Sequence, residues 1–361
     1  MSRAPACQFP PRPTELPDDP VFQVLCDTSR ADAVKELKPT QMEIELTTKC
    51  AASCRFCCAA STSARTEAMT LEESAKVVQE AAALGVRAIT WMGGDPQTYP
   101  HIRELFELAT NLGISMQMPT SGLFSKQHIA LFNDFQDNLF LGVHLDTIDP
   151  DTYAKLHNNP RTRKARMDCF KRLLDSGFPS FKTFGLITMT APVLERIEET
   201  LDWFYDEMKT TFVCLMVFKG EGFGKETAYL EPSLSGVKRA ITYRAGKMGG
   251  HWLRLGASEA SIYYCRTTFC VDVKGHAHPC LAIRDYCKTE SVFEHGLEPI
   301  VEKYRDKLFF NFTPKGMCGD CANNDLCFGC RASALYYTGD IEAADPKCWL
   351  NPEAVEYYRK R

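Results

Sequence analysis

The chain has 361 residues, enough for one large core with a smaller unit attached to it. Its formal net charge is −4, and no run of Lys or Arg forms a phosphate-binding face, so we expect no nucleic-acid partner. The N-terminal segment lacks the apolar stretch of a signal peptide, and the longest apolar run, FVCLMVF, is too short to span a bilayer. We therefore expect no membrane partner and a cytoplasmic protein.

Seventeen cysteines are the unusual feature of this composition. Their number is odd, and the chain shows no export signal. Reducing conditions in the cytoplasm disfavour structural disulfides, so metal ligation or redox chemistry is the better explanation for so many thiols.

The chain opens with a lead-in, residues 1–38, that is rich in Pro and polar groups and reads as irregular structure. From there, strand-like and helix-like patterns alternate. Thr70 followed by Glu73 predicts a capping box at the start of a helix that stops at Gly85. The predicted strands cover residues 42–48, 88–94, 114–120, 140–146, 181–190 and 212–218.

Six β/α units of this length imply a parallel sheet, because each parallel connection needs a crossover helix. A complete barrel needs eight units, so the sequence predicts an α/β fold with a partial (β/α)6 TIM-like barrel and its chemistry at the C-terminal ends of the strands. Nine of the seventeen cysteines follow residue 230, among short irregular segments. We therefore divide the chain into the lead-in 1–38, a barrel at 39–250 and a cysteine-rich domain at 251–361.

The first cysteine cluster follows the first predicted strand. Cys50, Cys54 and Cys57 form a CxxxCxxC pattern. Thiolates two or three residues apart on one loop can converge on a single metal ion or cluster, because the loop can curl around it. A four-iron (4Fe–4S) cluster with three such ligands keeps one iron open to an outside molecule, whereas a zinc loop is the structural alternative.

The triplet, with Phe56 before its last cysteine and a β/α barrel around it, closely resembles the radical S-adenosylmethionine (SAM) enzymes. The resemblance implies that SAM binds the open iron of the 4Fe–4S cluster. It also implies that one electron from the cluster cleaves SAM to methionine and a 5′-deoxyadenosyl radical.

The resemblance extends to residues at the ends of the next strands. GGDP stands where the family has a glycine-rich motif for the SAM amino group, with Asp95 in a position more often filled by Glu. Ser121 stands where Asn is commoner, and His144 stands where the family often has Ser near the SAM ribose. Arg161 suits the SAM carboxylate because Arg binds carboxylates in a bidentate manner. The implied SAM contacts are Gly93, Gly94, Asp95, Pro96, Ser121, His144 and Arg161.

Eight C-terminal cysteines resemble the SPASM extension of radical SAM enzymes, which holds two auxiliary 4Fe–4S clusters. The resemblance implies an inner cluster bound by Cys265, Cys270, Cys280 and Cys330, and an outer cluster bound by Cys318, Cys321, Cys327 and Cys348. Only two residues separate Cys327 from Cys330, where the family usually has three, and Cys287 is a spare. A zinc-ribbon-like site is the structural alternative.

Two auxiliary clusters suit a net two-electron oxidation, because they can accept the electron of a substrate radical. Most comparable enzymes modify ribosomally made peptides, so we expect an oxidoreductase or maturase acting on a peptide. An electron donor such as flavodoxin or ferredoxin would act with it. The lead-in is too short to form a domain that binds a leader peptide, so we expect a separate leader-binding protein.

The catalytic acid or base is not identified from the sequence. Leu281 occupies the position where sulfatase-oxidising relatives carry an Asp base. Unranked candidates are Lys219, Glu221, Asp272, His276 and Asp285. Two alternatives stay open: a small-molecule dehydrogenase, epimerase or decarboxylase acting on a sugar, nucleoside or tetrapyrrole, and a non-catalytic zinc or iron–sulfur protein.

Overall fold

The computed structural model describes residue 22 and residues 25–352. Most of the predicted lead-in, including Cys7, and the last nine residues of the predicted C-terminal domain lie outside the described residues. Within the lead-in, the structure has a short helix at Ala31–Glu36 where irregular structure was expected. Leu37 ends this helix in the left-handed conformation, with φ 53°.

All six predicted strands form, with ends that differ by a few residues, and a hairpin follows them. The strands are β1 (Gln41–Glu45), β2 (Ala88–Met92), β3 (Ser115–Thr120), β4 (Leu139–His144), β5 (Thr183–Met189), β6 (Phe212–Val217), β7 (Thr268–Val271) and β8 (Ala277–His278).

The helices lie mostly between the strands, as crossover connections of a parallel sheet require. The helices are α1 (Ala31–Glu36), α2 (Leu71–Ala83), α3 (Ile102–Asn111), α4 (Lys126–Asp134), α5 (Pro150–Leu156), α6 (Thr162–Asp175), α7 (Ala191–Leu194), α8 (Ile197–Asp202), α9 (Leu234–Met248), α10 (Ile262–Cys265), α11 (Val292–His295), α12 (Leu297–Leu308), α13 (Gly316–Asp320) and α14 (Arg331–Thr338). The capping box of α2 forms as predicted, with Thr70 and Glu73 each bonding the other's backbone. No helix among the described residues is long and apolar enough to cross a membrane.

The strands form one sheet in the order β6-β5-β4-β3-β2-β1-β7-β8. Strands β1 to β7 pair in parallel, and only β8 runs antiparallel to its neighbour. The C-terminal ends of β1 to β6 therefore lie along the same edge, where a parallel α/β sheet places its ligands.

Strand β7 joins the C-terminal region directly to the barrel. Gln41 pairs with Thr268, and Glu43 pairs with Cys270. The sheet is thus continuous across the boundary predicted near residue 250, and that boundary stays a prediction. One consequence is that a cysteine of the C-terminal block lies beside the strand that leads into the first cysteine cluster.

Candidate functional site

The cysteine loop after β1 is held from one side by the glycine turn after β2. The Gly94 N–H donates to the Thr47 carbonyl at 2.6 Å, and the Asp95 N–H donates to the Lys49 carbonyl at 2.8 Å. A Cβ on Gly93 would lie 2.4 Å from the Thr47 oxygen, and one on Gly94 would lie 2.3 Å from the Lys49 oxygen. The two backbones therefore approach more closely than any side chain permits.

The other side of the loop contacts elements much later in the chain. The Asn158 N–H donates to the Ser53 carbonyl at 3.1 Å, and the Phe223 N–H donates to the Cys57 carbonyl at 3.0 Å. Gly222 packs so closely that a Cβ would lie 2.5 Å from the Cys57 oxygen. The loop is thus clamped between the end of β2, the segment after α5 and the segment after β6.

The three thiols of this loop lie together in a buried environment. Burial, with smaller contributions from Asp95 and Cys57, raises the pKa of the Cys50 thiol to about 12. Burial also raises the pKa of Cys54 and Cys57. Metal ligation requires thiolates, and a cationic metal centre supplies the charge that makes thiolates stable in such a place. The donor set therefore fits a three-cysteine iron–sulfur cluster.

Two of the predicted SAM contacts, Asp95 and Ser121, meet in the structure. The Ser121 hydroxyl donates to the Asp95 carboxylate, and its backbone N–H lies 3.4 Å from the other carboxylate oxygen. Gln97, which the sequence analysis missed, donates to the same carboxylate at 2.8 Å. Burial raises the pKa of Asp95. The turn after β2 and the end of β3 are therefore tied together beside Cys50.

His144, at the end of β4, belongs to a second polar network. Its Nε2 lies 3.0 Å from Asp146 Oδ1, and the other carboxylate oxygen lies 3.1 Å from His157 Nε2. Burial by itself raises the pKa of Asp146, but the two imidazoles lower it below its usual range. Asp146 also accepts from the Thr188 N–H at 2.9 Å, which joins β4 to the end of β5.

Arg161 and Arg166 differ sharply in their surroundings. Arg161 is exposed at the start of α6, and the described contacts do not bring it into either network, so its role in binding SAM stays a prediction. Arg166 is fully buried and donates to the carbonyls of Ala52, inside the cysteine loop, and His144. Arg166 is not predictable from the sequence, because nothing in its local pattern marks it as buried.

The C-terminal cysteines fall into two sets in space. In the first set, the charges of Cys280 and Cys330 raise the pKa of Cys265, after the larger effect of burial. The charge of Cys280 also raises the pKa of Cys270, after the larger effects of burial and of Glu43. The Cys270 thiol donates to the Glu43 carboxylate at 3.0 Å. The members of this set are Cys265, Cys270, Cys280 and Cys330.

The second set lines one small cavity. A Cβ built on Gly256 would lie 3.6 Å from the Cys327 sulfur and 3.9 Å from the Cys348 sulfur. Cys287 belongs to neither set and packs in the main hydrophobic core. The members of the second set are Cys318, Cys321, Cys327 and Cys348.

In the part of the chain that the structure describes, no three His, Cys, Asp or Glu side chains are close enough to bind one metal ion together. Tetrahedral zinc at about 2.3 Å from each sulfur draws its four thiolates within about 4 Å of one another. A four-iron cluster instead binds each thiolate through a different iron and holds the thiolates farther apart. The metal content of the purified protein distinguishes the two.

An open cavity of about 610 Å³ lies beside the cysteine loop. Cys58 and Thr48 border it on the barrel side, and Leu281 and Tyr336 border it on the C-terminal side. It therefore lies between the three-cysteine loop and the loop that follows Cys280.

The candidates for the catalytic base differ in whether they line this cavity. Glu221, Asp272 and Asp285 line it. His276 is engaged elsewhere, with its Nδ1 2.9 Å from the Thr289 carbonyl oxygen. Burial by itself lowers the pKa of Lys219, but the nearby thiols of the first C-terminal set raise it above its ordinary value.

Residues 44–221 match the sequence model of the radical SAM superfamily. The chain is 23% identical over 348 residues to AdoMet-dependent heme synthase of Methanosarcina barkeri, covering 87% of this chain and 97% of that protein. It is 27% identical over 338 residues to PqqA peptide cyclase of Streptomyces rochei, covering 87% and 90%. Streptococcus suis SuiB bound to precursor peptide SuiA has a similar structure, with a TM-score of 0.66 at 18% identity over 96% of this chain and 85% of SuiB. This last similarity confirms the predicted fold.

Proposed function

This chain belongs to the radical SAM superfamily through its domain at residues 44–221, and we propose that it oxidatively modifies a ribosomally made peptide. With SAM and a four-iron cluster bound, the site would have available a 5′-deoxyadenosyl radical for removing a hydrogen atom from substrate carbon. Cys50, Cys54 and Cys57 would hold that cluster. The observation that carries the proposal is the position of their loop, which is held at the C-terminal edge of the sheet and borders a cavity of about 610 Å³ through Thr48 and Cys58.

The residues around the loop have distinct tasks in this proposal. The Gly94 and Asp95 N–H groups are engaged by the cysteine loop. The carbonyl groups of the same turn are then the atoms suited to accept from the SAM amino group. Asp146 contacts Nε2 of His144 and so orients the ring, whose side chain is 24% exposed. We place the SAM ribose at the exposed part of this ring.

Two auxiliary clusters complete the proposed enzyme, one for each C-terminal set of four thiols. The support is the grouping itself, since each set contains four thiols and a four-iron cluster has four irons to ligate. Leu281, next to Cys280 of the inner set, lines the cavity, whereas no cysteine of the outer set does. A cluster on the inner set would accept the electron left on the substrate, and a lining carboxylate, Glu221, Asp272 or Asp285, would take the proton. Together with the hydrogen atom removed first, the substrate would then lose two electrons and two protons. A flavodoxin or ferredoxin would exchange electrons with the clusters, and a separate protein would bind the leader.

The charges of the cavity favour a peptide over a tetrapyrrole. A tetrapyrrole carries several carboxylates and needs cations around it. Carboxylates outnumber cations in the lining, and Arg284 is already bonded to Glu45 through two contacts of 2.8 and 2.9 Å. The charged lining residues are Glu45, Glu67, Glu221, Asp272, Asp285, Arg65, Lys274 and Arg284.

Two relatives support different substrates. PqqA peptide cyclase favours the peptide, and the heme synthase of Methanosarcina barkeri favours a tetrapyrrole as a second candidate. The similarity to the heme synthase covers 97% of that protein, so this candidate needs a direct test.

The first experiment measures iron, sulfide and zinc in anaerobically purified protein, with electron paramagnetic resonance before and after addition of SAM. We expect about twelve irons per chain in the wild type and about eight in a Cys50/Cys54/Cys57→Ala triple variant, because one of three four-iron clusters is lost. The triple variant should also lose the SAM-responsive signal and the release of 5′-deoxyadenosine. Cys214→Ala is the matched control and should behave as the wild type. Zinc in place of iron would refute the proposal.

The second experiment separates the substrates. Reduced enzyme and SAM are incubated with candidate short precursor peptides, or with an iron tetrapyrrole that carries carboxylate side chains, and the product masses are measured by mass spectrometry. A loss of two hydrogens from the peptide supports the proposal. A loss of carbon dioxide together with two hydrogens from a carboxylate side chain of the tetrapyrrole would establish the second candidate instead.

A further inference from the structure

A buried positive charge lies directly behind the three-cysteine loop. The Arg166 side chain is fully buried. Its Nη2 donates to the Ala52 carbonyl at 3.4 Å, and its Nη1 donates to the His144 carbonyl at 3.1 Å. The guanidinium also lies beside the Cys54 thiol. Arg166 therefore contacts the loop between Cys50 and Cys54 from the protein interior.

The guanidinium is fixed by its surroundings. It lies 5.6 Å from the centre of the Tyr153 ring. That ring stacks on His157 at 4.0 Å, and His157 Nδ1 lies 3.4 Å from the same Ala52 carbonyl oxygen. Two buried carboxylates lie nearby: Asp146, which is bonded to His157, and Asp95, which lies beside Cys50. A guanidinium keeps its charge even when it is buried, and here it lies beside the Cys54 thiol and the Asp146 carboxylate.

We propose that Arg166 is a positioning residue that raises the reduction potential of the cluster held by Cys50, Cys54 and Cys57, with Asp146 as an opposing charge. Reduction adds a negative charge to a centre that thiolates already make electron-rich. A cation buried beside it stabilises the reduced state, and a buried anion does the opposite, because a low dielectric screens both charges weakly. The inference rests on the proposed function, since it requires the cluster.

The two charges predict effects of opposite sign, which a merely structural role does not. Removing the positive charge of Arg166 should lower the potential of the cluster. Removing the negative charge of Asp146 should raise it. A packing defect from either substitution would loosen the loop without any reason for the two shifts to oppose each other.

The test is a redox titration of the reconstituted protein, followed by the electron paramagnetic resonance signal of the SAM-binding cluster. In Arg166→Gln we expect the ratio of reduced to oxidised cluster, at a fixed potential, to fall at least tenfold, equivalent to a shift of about 59 mV for one electron. Arg166→Lys keeps the charge and should stay within about threefold of the wild type. Asp146→Asn should raise the ratio. Arg163→Gln on the same helix is the control and should leave the ratio unchanged.

The outcomes separate the two proposals. A wild type without any iron–sulfur cluster overturns the proposed function and this inference with it. A wild-type cluster whose potential is the same in Arg166→Gln, or shifts in the same direction in Asp146→Asn, overturns the inference alone. If Arg166→Gln does not fold or hold iron, the Lys and Asn variants decide. A ratio of reduced to oxidised cluster that is unchanged in Arg166→Lys and raised in Asp146→Asn supports the inference, and any other result rejects it.

Discussion

Replacing Gly94 with alanine tests whether the glycine turn after β2 holds the cysteine loop. The new Cβ would lie 2.3 Å from the Lys49 carbonyl oxygen and 2.5 Å from its carbon. Relief requires the backbones to separate by roughly 1 Å, since such atoms normally stay about 3.5 Å apart. That movement strains two hydrogen bonds, Gly94 N–H to Thr47 O at 2.6 Å and Asp95 N–H to Lys49 O at 2.8 Å.

The magnitude follows from these two effects. Overpacking costs about 1–3 kcal/mol, and each weakened hydrogen bond costs about 0.5–1.5 kcal/mol. We therefore expect Gly94→Ala to lower the free energy of unfolding by about 3 kcal/mol. The displaced loop should also bind less iron and lose the SAM-responsive signal.

Two measurements test this prediction. Urea unfolding of the metal-free protein gives the free energy of unfolding, and iron reconstitution of a separate folded sample gives the iron content. Gly246 is the matched control, because it is exposed on helix α9 and a Cβ there meets nothing within 4 Å. Gly246→Ala should raise the free energy of unfolding by about 0.5–1 kcal/mol. Unchanged stability and full iron binding in Gly94→Ala would refute the reasoning, because the clash leaves no unstrained position for the methyl group.

Three further changes test other parts of the molecule. Thr70→Ala removes the capping box of α2 and should cost about 1 kcal/mol in urea unfolding without changing iron content. Arg284→Met leaves the Glu45 carboxylate buried without its bidentate partner and should cost about 2–4 kcal/mol, whereas exposed Lys288→Met should change stability by less than about 0.5 kcal/mol. Burial lowers the pKa of His157, so the folded state binds fewer protons there than the unfolded chain. This contribution to stability is present above about pH 6.5 and is lost as the pH falls toward the folded-state pKa, with a slope of at most about 1.4 kcal/mol per pH unit that His157→Gln should remove.

Much of the barrel could be predicted because its evidence is local. The capping box at Thr70 involves residues three positions apart, and the apolar runs that became β1 to β6 were recognisable one by one. The prediction for Cys50, Cys54 and Cys57 is local as well, because their spacing on one loop indicates that they bind a single metal ion or cluster. The short helix at Ala31–Glu36 was missed because the prolines of the lead-in suggested irregular structure throughout.

The surroundings of the cysteine loop could not be predicted in the same way. Arg166 reaches Ala52 across 114 positions, and His157 reaches the same carbonyl across 105. In the sequence, Arg166 is one of several basic residues between positions 161 and 172, and the local pattern does not distinguish it from Arg161. Arg166 is buried and Arg161 is exposed. This difference depends on which distant segments pack over helix α6, and the local sequence does not contain that information.

The sequence by itself determined the family chemistry and the order of the barrel strands, because spacing within a loop and periodicity within a segment are properties of neighbouring residues. Only the tertiary structure placed β7 beside β1 and set Arg166 and Asp146 behind the cysteine loop. Those arrangements join segments that lie far apart in the sequence. Such segments come together when the whole chain buries its apolar surface, and the contact leaves no periodic pattern in either segment.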